Sequence, residues 1–189
     1  TSDALNPIGI RGGFTGSLHP IQTFADRENG WKGLFGICFG FEGCKEAEEA
    51  ACGIVSRLGG GMLSIGKENK ILYHAAACMI SNYVAALSHA AGMLLNEAGI
   101  DGEQGIKAFF PLLSRTVGNI QSLGSLGALT GPISRGDTDV VGNHLKEMKK
   151  MDPKVAQAYK ALGCIAVEMA LRKGGINGET AERLFDILA

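Results

Sequence analysis

From Ile71 to Asn96 the chain carries no Asp, Glu, Lys or Arg. A charge-free run of this length limits what can surround it. It is long enough to cross a bilayer as a helix. Yet it holds Tyr73, His74, Ser81, Asn82, Tyr83, Ser88, His89 and Asn96, and much of the rest is alanine. Polar groups facing lipid are costly, so the expectation is a central, buried helix of a soluble domain and no membrane span. On a helical wheel Lys70, His74, Ser81, Asn82, Ser88, His89 and Asn96 fall within a sector of about 120°. The remaining circumference is apolar, which predicts burial on most sides. The polar stripe must then meet water, a cleft or other polar groups, because an unpaired buried polar group is costly. Lys70 and His74 are four residues apart and point the same way. Lysine can donate a proton or hold an oxyanion, and histidine titrates near neutrality. A structural stripe satisfied by neighbouring helices remains the alternative.

Around this helix the pattern divides the chain in two. Before it, Phe14 to Leu18 reads as a short strand running into His19-Pro20. Leu34 to Phe41 reads as a strand apolar on both faces. Cys44 to Leu58 reads as a helix with an apolar stripe, ended by Gly59-Gly60-Gly61, and Met62 to Ile65 as a third strand. After Gly66 only helical patterns follow. They run from about Glu68 to Gly99, Gly102 to Leu113, Val117 to Leu123, Asp137 or Thr138 to Lys150, Pro153 to Gly174, and Glu179 to Leu188. Asp152-Pro153 is a start signal, a cap followed by proline in the first turn. The expected organisation is therefore 1–66 mixed α and β, and 67–189 all helical.

Net charge is −1, so there is no basic excess to attract a nucleic-acid backbone. The five cysteines contain no C-x-x-C pair, which argues against a disulfide framework and for a reducing, cytoplasmic setting. His74 and Cys78 lie one helical turn apart, but two ligands do not make a metal site, and no metal is expected. Gly61 to Lys67 fits the first part of a phosphate-binding loop, but Glu68 stands where Ser or Thr must hold magnesium. No G-x-G-x-x-G fingerprint with a strand and helix around it is present. Arg135-Gly136-Asp137 lies in a glycine-bounded loop before a helix. Its backbone N–H groups and Arg135 suit an anion; a solvated surface arginine is the equal alternative. His19 sits at a strand end, where α/β sheets bind ligands, although an ordinary turn histidine is the commoner case.

Three segments together resemble one family. They are Gly16-Ser17-Leu18-His19-Pro20-Ile21-Gln22-Thr23-Phe24-Ala25, then Tyr73-His74-Ala75-Ala76-Ala77 through Ser81-Asn82-Tyr83, then Ala128-Leu129-Thr130-Gly131-Pro132 with Arg135-Gly136-Asp137. They are similar to an uncharacterised bacterial family in which a Rossmann-like half precedes a helical domain of unknown function. That family resembles prephenate dehydrogenase, pyrroline-5-carboxylate reductase and the β-hydroxyacid dehydrogenases. Its helical part resembles the C-terminal domain of 6-phosphogluconate dehydrogenase.

The resemblance implies the terminal strands of a Rossmann-like sheet in 1–66 and a helical substrate and dimerisation domain in 67–189. It also implies that a glycine-rich first half belongs before Thr1, so the chain is expected to be a fragment, and the fragment alone to be inactive. By the same resemblance His19 corresponds to the prephenate dehydrogenases' catalytic histidine, and Ser2 to the serine near their nicotinamide. Lys70 corresponds to the catalytic lysine of the β-hydroxyacid dehydrogenases, and His74 stands where those have asparagine. Asn82, Thr116, Asn119 and Arg135 become further substrate contacts.

The implied function is hydride transfer between NAD or NADP and a small anionic substrate, with the nucleotide bound mainly by residues outside this chain. A homodimer through the helical part is implied as well. The alternative is a non-catalytic ligand-binding or dimerisation module of the same fold. An enzyme is expected to bring Ser2, His19, Lys70 and His74 toward one cleft, and a module to scatter them.

Overall fold

The structure is a computed structural model that describes residues 2–189. A 3-10 turn (Ser2–Leu5) leads into α1 (Asn6–Gly9). Strands β1 (Gly16–Pro20), β2 (Cys38–Gly43) and β3 (Gly61–Ser64) form one sheet in the order β1-β2-β3. β1 runs antiparallel to β2, with Gly16 opposite Gly43 and His19 opposite Gly40. β3 runs parallel to β2, with Cys38 opposite Gly61 and Phe41 opposite Ser64. A parallel pair needs a crossover, and α2 (Lys45–Arg57) provides it. Phe39 and Phe41 project to one face of β2 and are buried, as are Ala51 and Val55 of α2. Gly40 and Glu42 alternate onto the opposite face and are buried too. The central strand is thus enclosed on both sides, as its apolar sequence predicts.

After a 3-10 turn (Lys67–Asn69), everything regular is helical. The helices are α3 (Lys70–Ile80), α4 (Asn82–Glu97), α5 (Gly102–Ala128), α6 (Pro132–Arg135), α7 (Thr138–Met148), α8 (Pro153–Lys173) and α9 (Gly178–Leu188). No strand follows Ser64 among the described residues. The architecture is mixed α and β, mostly α. Local chemistry sets several helix ends. Asp101, Asp152 and Asn177 accept the amide N–H of Gln104, Lys154 and Thr180. Gly174 closes α8 in the left-handed conformation that the missing side chain permits.

Two compact units divide at Leu87/Ser88, inside α4 and later than the change of pattern at Gly66. The second unit has its own core, made of Val141, Leu145, Met148, Val167, Ala181, Leu184 and Leu188. Gly163 lets α9 approach α8, since a Cβ there would lie 2.7 Å from Leu188 Cδ2.

The long apolar helix departs from expectation in two ways. It is interrupted at Ser81 (φ −114°, ψ −73°), so the stripe is carried by α3 and α4 in succession. It is also exposed rather than buried. α3 has no buried residue and α4 has only Gly92, with Ile71 77% and Leu72 73% exposed. The burial argument presumed neighbours for every apolar side. In fact α7, α8 and α9 turn their apolar faces on one another, and α4 reaches that core only through Leu94 near its end. Lys67–Glu97 is long and apolar enough to cross a membrane by length and composition, and almost none of it is covered. α5 repeats the pattern with Phe110, Leu112 and Leu123 exposed. It joins the two expected helices, Gly102 to Leu113 and Val117 to Leu123, into one that holds Pro111 inside it and kinks at Gly124 (φ 71°, ψ 169°).

Candidate active site

The first unit contains two adjoining polar clusters, both anchored on β2. Glu42 is its last residue but one, at the carboxyl end of the parallel pair, and is 4% exposed. Its carboxylate accepts from the Ser2 amide at 3.0 Å, from the Ser2 hydroxyl, and from Lys70 Nζ at 2.9 Å. Burial alone raises a carboxyl group's pKa. Here the Ser2 hydroxyl, the Lys70 ammonium and the Ser2 amide more than offset burial, holding Glu42 at about 2 against an ordinary 4.5. The ammonium of Lys70 is accordingly engaged by a buried carboxylate.

The second cluster lies around His19. Its Nδ1 is 3.0 Å from the Tyr73 hydroxyl, and its ring meets the edge of Tyr73 at 5.9 Å and of His74 at 6.3 Å between centroids. His74 Nε2 lies 3.7 Å from Cys78 Sγ, and Asn82 Nδ2 lies 4.0 Å from the same sulfur. His74, Cys78 and Asn82 are spaced at four-residue steps, so they line up along one side of the helical run. A cavity of about 460 Å³ opens here, bounded by His19, Gln22, Thr23, His74, Cys78 and Asn82 among others. None of its lining residues is Asp, Glu, Lys or Arg. Its polar groups are imidazoles, amides and hydroxyls, which suit hydrogen bonding to an acceptor such as a carbonyl or carboxylate oxygen.

The expected residues therefore fall into groups. His19, His74 and Asn82 share the cavity, while Ser2 and Lys70 meet at Glu42 instead. Because β1 is antiparallel, His19 lies opposite Gly40 in the middle of β2. The carboxyl edge, where open α/β sheets bind ligands, carries the Glu42 cluster. The remaining three residues belong to the second unit. Thr116 bonds the Leu112 carbonyl at 3.0 Å, and Asn119 is half-buried on the same helix. Arg135 holds Asp137 through Nη2 at 2.9 Å and Nε at 3.1 Å, so its guanidinium is already paired. A separate cavity of about 660 Å³ in this unit contains His144, bonded to Tyr159 at 2.9 Å, and none of the expected residues.

Sequence reasoning missed Glu42, Tyr73 and Gly40. Glu42 left a signal, as the one charge in the run Leu34 to Gly43. Tyr73 falls on the apolar side of the helical wheel, outside the polar stripe that marks the candidate site residues. The described residues do not form a nucleotide cradle. The turn from β2 into α2 is Gly43-Cys44-Lys45, with Glu46 and Glu48 in the first helical turn. No group of three or more metal-ligating side chains occurs among the described residues.

A small three-stranded mixed sheet followed by a helical remainder places the chain in the class of mixed α and β proteins that are mostly helical. Within that class it belongs to the family described as Domain of unknown function (DUF2520), whose model matches residues 37–165. No curated protein matches the chain. Among solved structures it is similar to protein TM1727 from Thermotoga maritima. The TM-score is 0.73 and the identity 26%, over 85% of this chain and 63% of that one. It is also similar in fold to "putative NADP oxidoreductase BF3122 from Bacteroides fragilis". There the TM-score is 0.65 and the identity 23%, over 82% of this chain and 58% of that one. The chain thus spans less than two thirds of the length of either solved relative.

Proposed function

We propose that this chain is the substrate-side part of an NAD(P)-dependent oxidoreductase that transfers a hydride to or from a small anionic substrate. The observation that carries this reading is the charge-free cavity bounded by His19, His74 and Asn82. Its support from outside the chain is the name of the Bacteroides fragilis relative, a protein of the same fold. Of the two acid/base candidates, His19 suits the role better, because the Lys70 ammonium is bound to Glu42 at 2.9 Å. His74 and Asn82 orient the substrate. Lys70, Glu42 and Ser2 hold the helical run against the sheet edge. The nucleotide is bound mainly by residues outside this chain, since the sequence holds no G-x-G-x-x-G fingerprint with a strand and helix around it.

We further propose a homodimer. Exposed Ile80, Phe110, Leu112 and Leu123 are the observation in its favour, because apolar surface of this extent is stabilised by a partner. A cytoplasmic setting, as the cysteines suggest, completes the reading.

The test is a cofactor and metabolite binding screen on the complete protein, followed by turnover of each hit with NADH or NADPH. Nucleotide-dependent reduction of a carbonyl or imine acid is the expected result. Tight metabolite binding without nucleotide binding or turnover would favour the non-catalytic alternative.

A further inference from the structure

We infer that Tyr73 is a positioning residue for His19: its hydroxyl, admitted beside the sheet by Gly40, holds the imidazole in the Nε2–H form, so His19 meets a ligand as a hydrogen-bond donor. The inference deepens the proposed function by saying how His19 is presented and what it recognises. The contact is specific. Tyr73 Oη lies 3.0 Å from Nδ1, and no other hydrogen-bond partner of that hydroxyl occurs among the described residues. A phenol has one hydrogen to give. If Nδ1–H donated to the phenol oxygen, the phenol hydrogen would have no protein acceptor and would turn to solvent. Donation from Tyr73 to Nδ1 satisfies both groups at once. Burial raises the Tyr73 pKa, so the phenol keeps its hydrogen at neutral pH. With Nδ1 accepting, the neutral ring carries its own hydrogen on Nε2.

Gly40 explains why the tyrosine can reach so far. It is the direct cross-strand partner of His19. A Cβ at Gly40 would lie 2.5 Å from Tyr73 Oη and 2.8 Å from Ile65 Cδ1. Any side chain there displaces the hydroxyl from its seat. The glycine in β2 and the tyrosine in α3 are therefore two parts of one device, and the ligand group it selects is an acceptor, a carbonyl or carboxylate oxygen.

The test uses the complete protein with nitrogen-15-labelled histidine at neutral pH. The His19 ring signals are assigned by their loss in His19→Gln. In the unsubstituted protein Nε2 should carry the hydrogen and Nδ1 should show the shift of a hydrogen-bonded acceptor. Tyr73→Phe removes only the hydroxyl and keeps the ring. It should move Nδ1 to the shift of a free nitrogen and let the Nδ1–H form appear. Gly40→Ala should do the same by displacing the tyrosine; if that variant fails to fold, Tyr73→Phe decides alone. A hydrogen on Nδ1 in the unsubstituted protein, or an unchanged ring pattern in Tyr73→Phe, overturns the inference. Where turnover is found, Tyr73→Phe should lower kcat more than it raises KM. If the tautomer responds but the complete protein turns nothing over, the positioning role stands and the oxidoreductase reading falls.

Discussion

Replacing Glu42 by glutamine isolates the most strongly perturbed group in the chain. The carboxylate side chain is 3% exposed and Lys70 is 20% exposed, with 2.9 Å between them. Folding lowers the Glu42 pKa from 4.5 to about 2. At about 1.4 kcal/mol per pH unit, that gap stabilises the fold by about 3 kcal/mol. The sign follows from the direction of the change. A lowered carboxyl contributes fully above its unfolded value and loses that contribution as pH falls from 4.5 toward about 2. Glu42→Gln strips the charge and leaves the ammonium without its counter-ion, at an expected cost of about 2–4 kcal/mol near neutrality. Urea denaturation near neutrality and at about pH 3 reads both effects. The variant should be less stable near neutrality, and its stability should fall less steeply with acid. Adding Lys70→Met should recover part of the loss, since the two changes remove one interaction. Equal stability of Glu42→Gln and the parent, or an identical acid slope, would refute the ionic account of this corner.

Three further outcomes are expected. Leu184 is fully enclosed in the second core, so Leu184→Ala should lower stability by about 2–5 kcal/mol in thermal or urea denaturation. Light scattering should give twice the chain mass, and Phe110→Asp with Leu112→Asp should return it to the single chain; a parent that is monomeric at high concentration removes the dimer. Calorimetry of this chain with NADPH should show no tight binding, because no G-x-G-x-x-G fingerprint with a strand and helix around it is present in its sequence. Micromolar affinity contradicts that.

The parts of the fold visible in the sequence are those governed by local rules. Asp152-Pro153 announced α8 because capping and proline geometry act within a turn, and Gly174 marked its end for the same reason. The three strands were legible in place but not in bounds: β2 runs from Cys38 to Gly43 with Leu34 in a 3-10 turn before it, and β1 starts at Gly16 and extends through Pro20, since a proline at the last position of an edge strand removes no needed donor. What escaped was set by tertiary neighbours. The apolar circumference of the 71–96 run is compatible with a buried helix and with a face awaiting a partner, and the sequence does not say which. Likewise the i, i+4 spacing of Lys70 and His74 placed them on one side of a helix. It could not reveal that Glu42 draws the lysine to the sheet edge while His74 turns to His19. His19 and Asn82 were found because polar groups at a strand end and along an apolar helix stand out against their surroundings. Gly40 and Tyr73 look like ordinary strand and packing residues, and only the cross-strand register brings them to His19.

If the His19 cavity is the seat of nucleotide-dependent reduction, hydride must pass from the nucleotide to an acid bound there. The measurement that tests it most directly is deuterium transfer from labelled NADPH to small carbonyl and imine acids. It compares the complete protein with His19→Gln, both checked for native folding. Deuterium should appear on the product carbon with the parent protein, with a loss of about 10²–10⁴ in rate for His19→Gln. Transfer that proceeds equally well without His19, or no transfer to any acid that binds the parent protein, would contradict it.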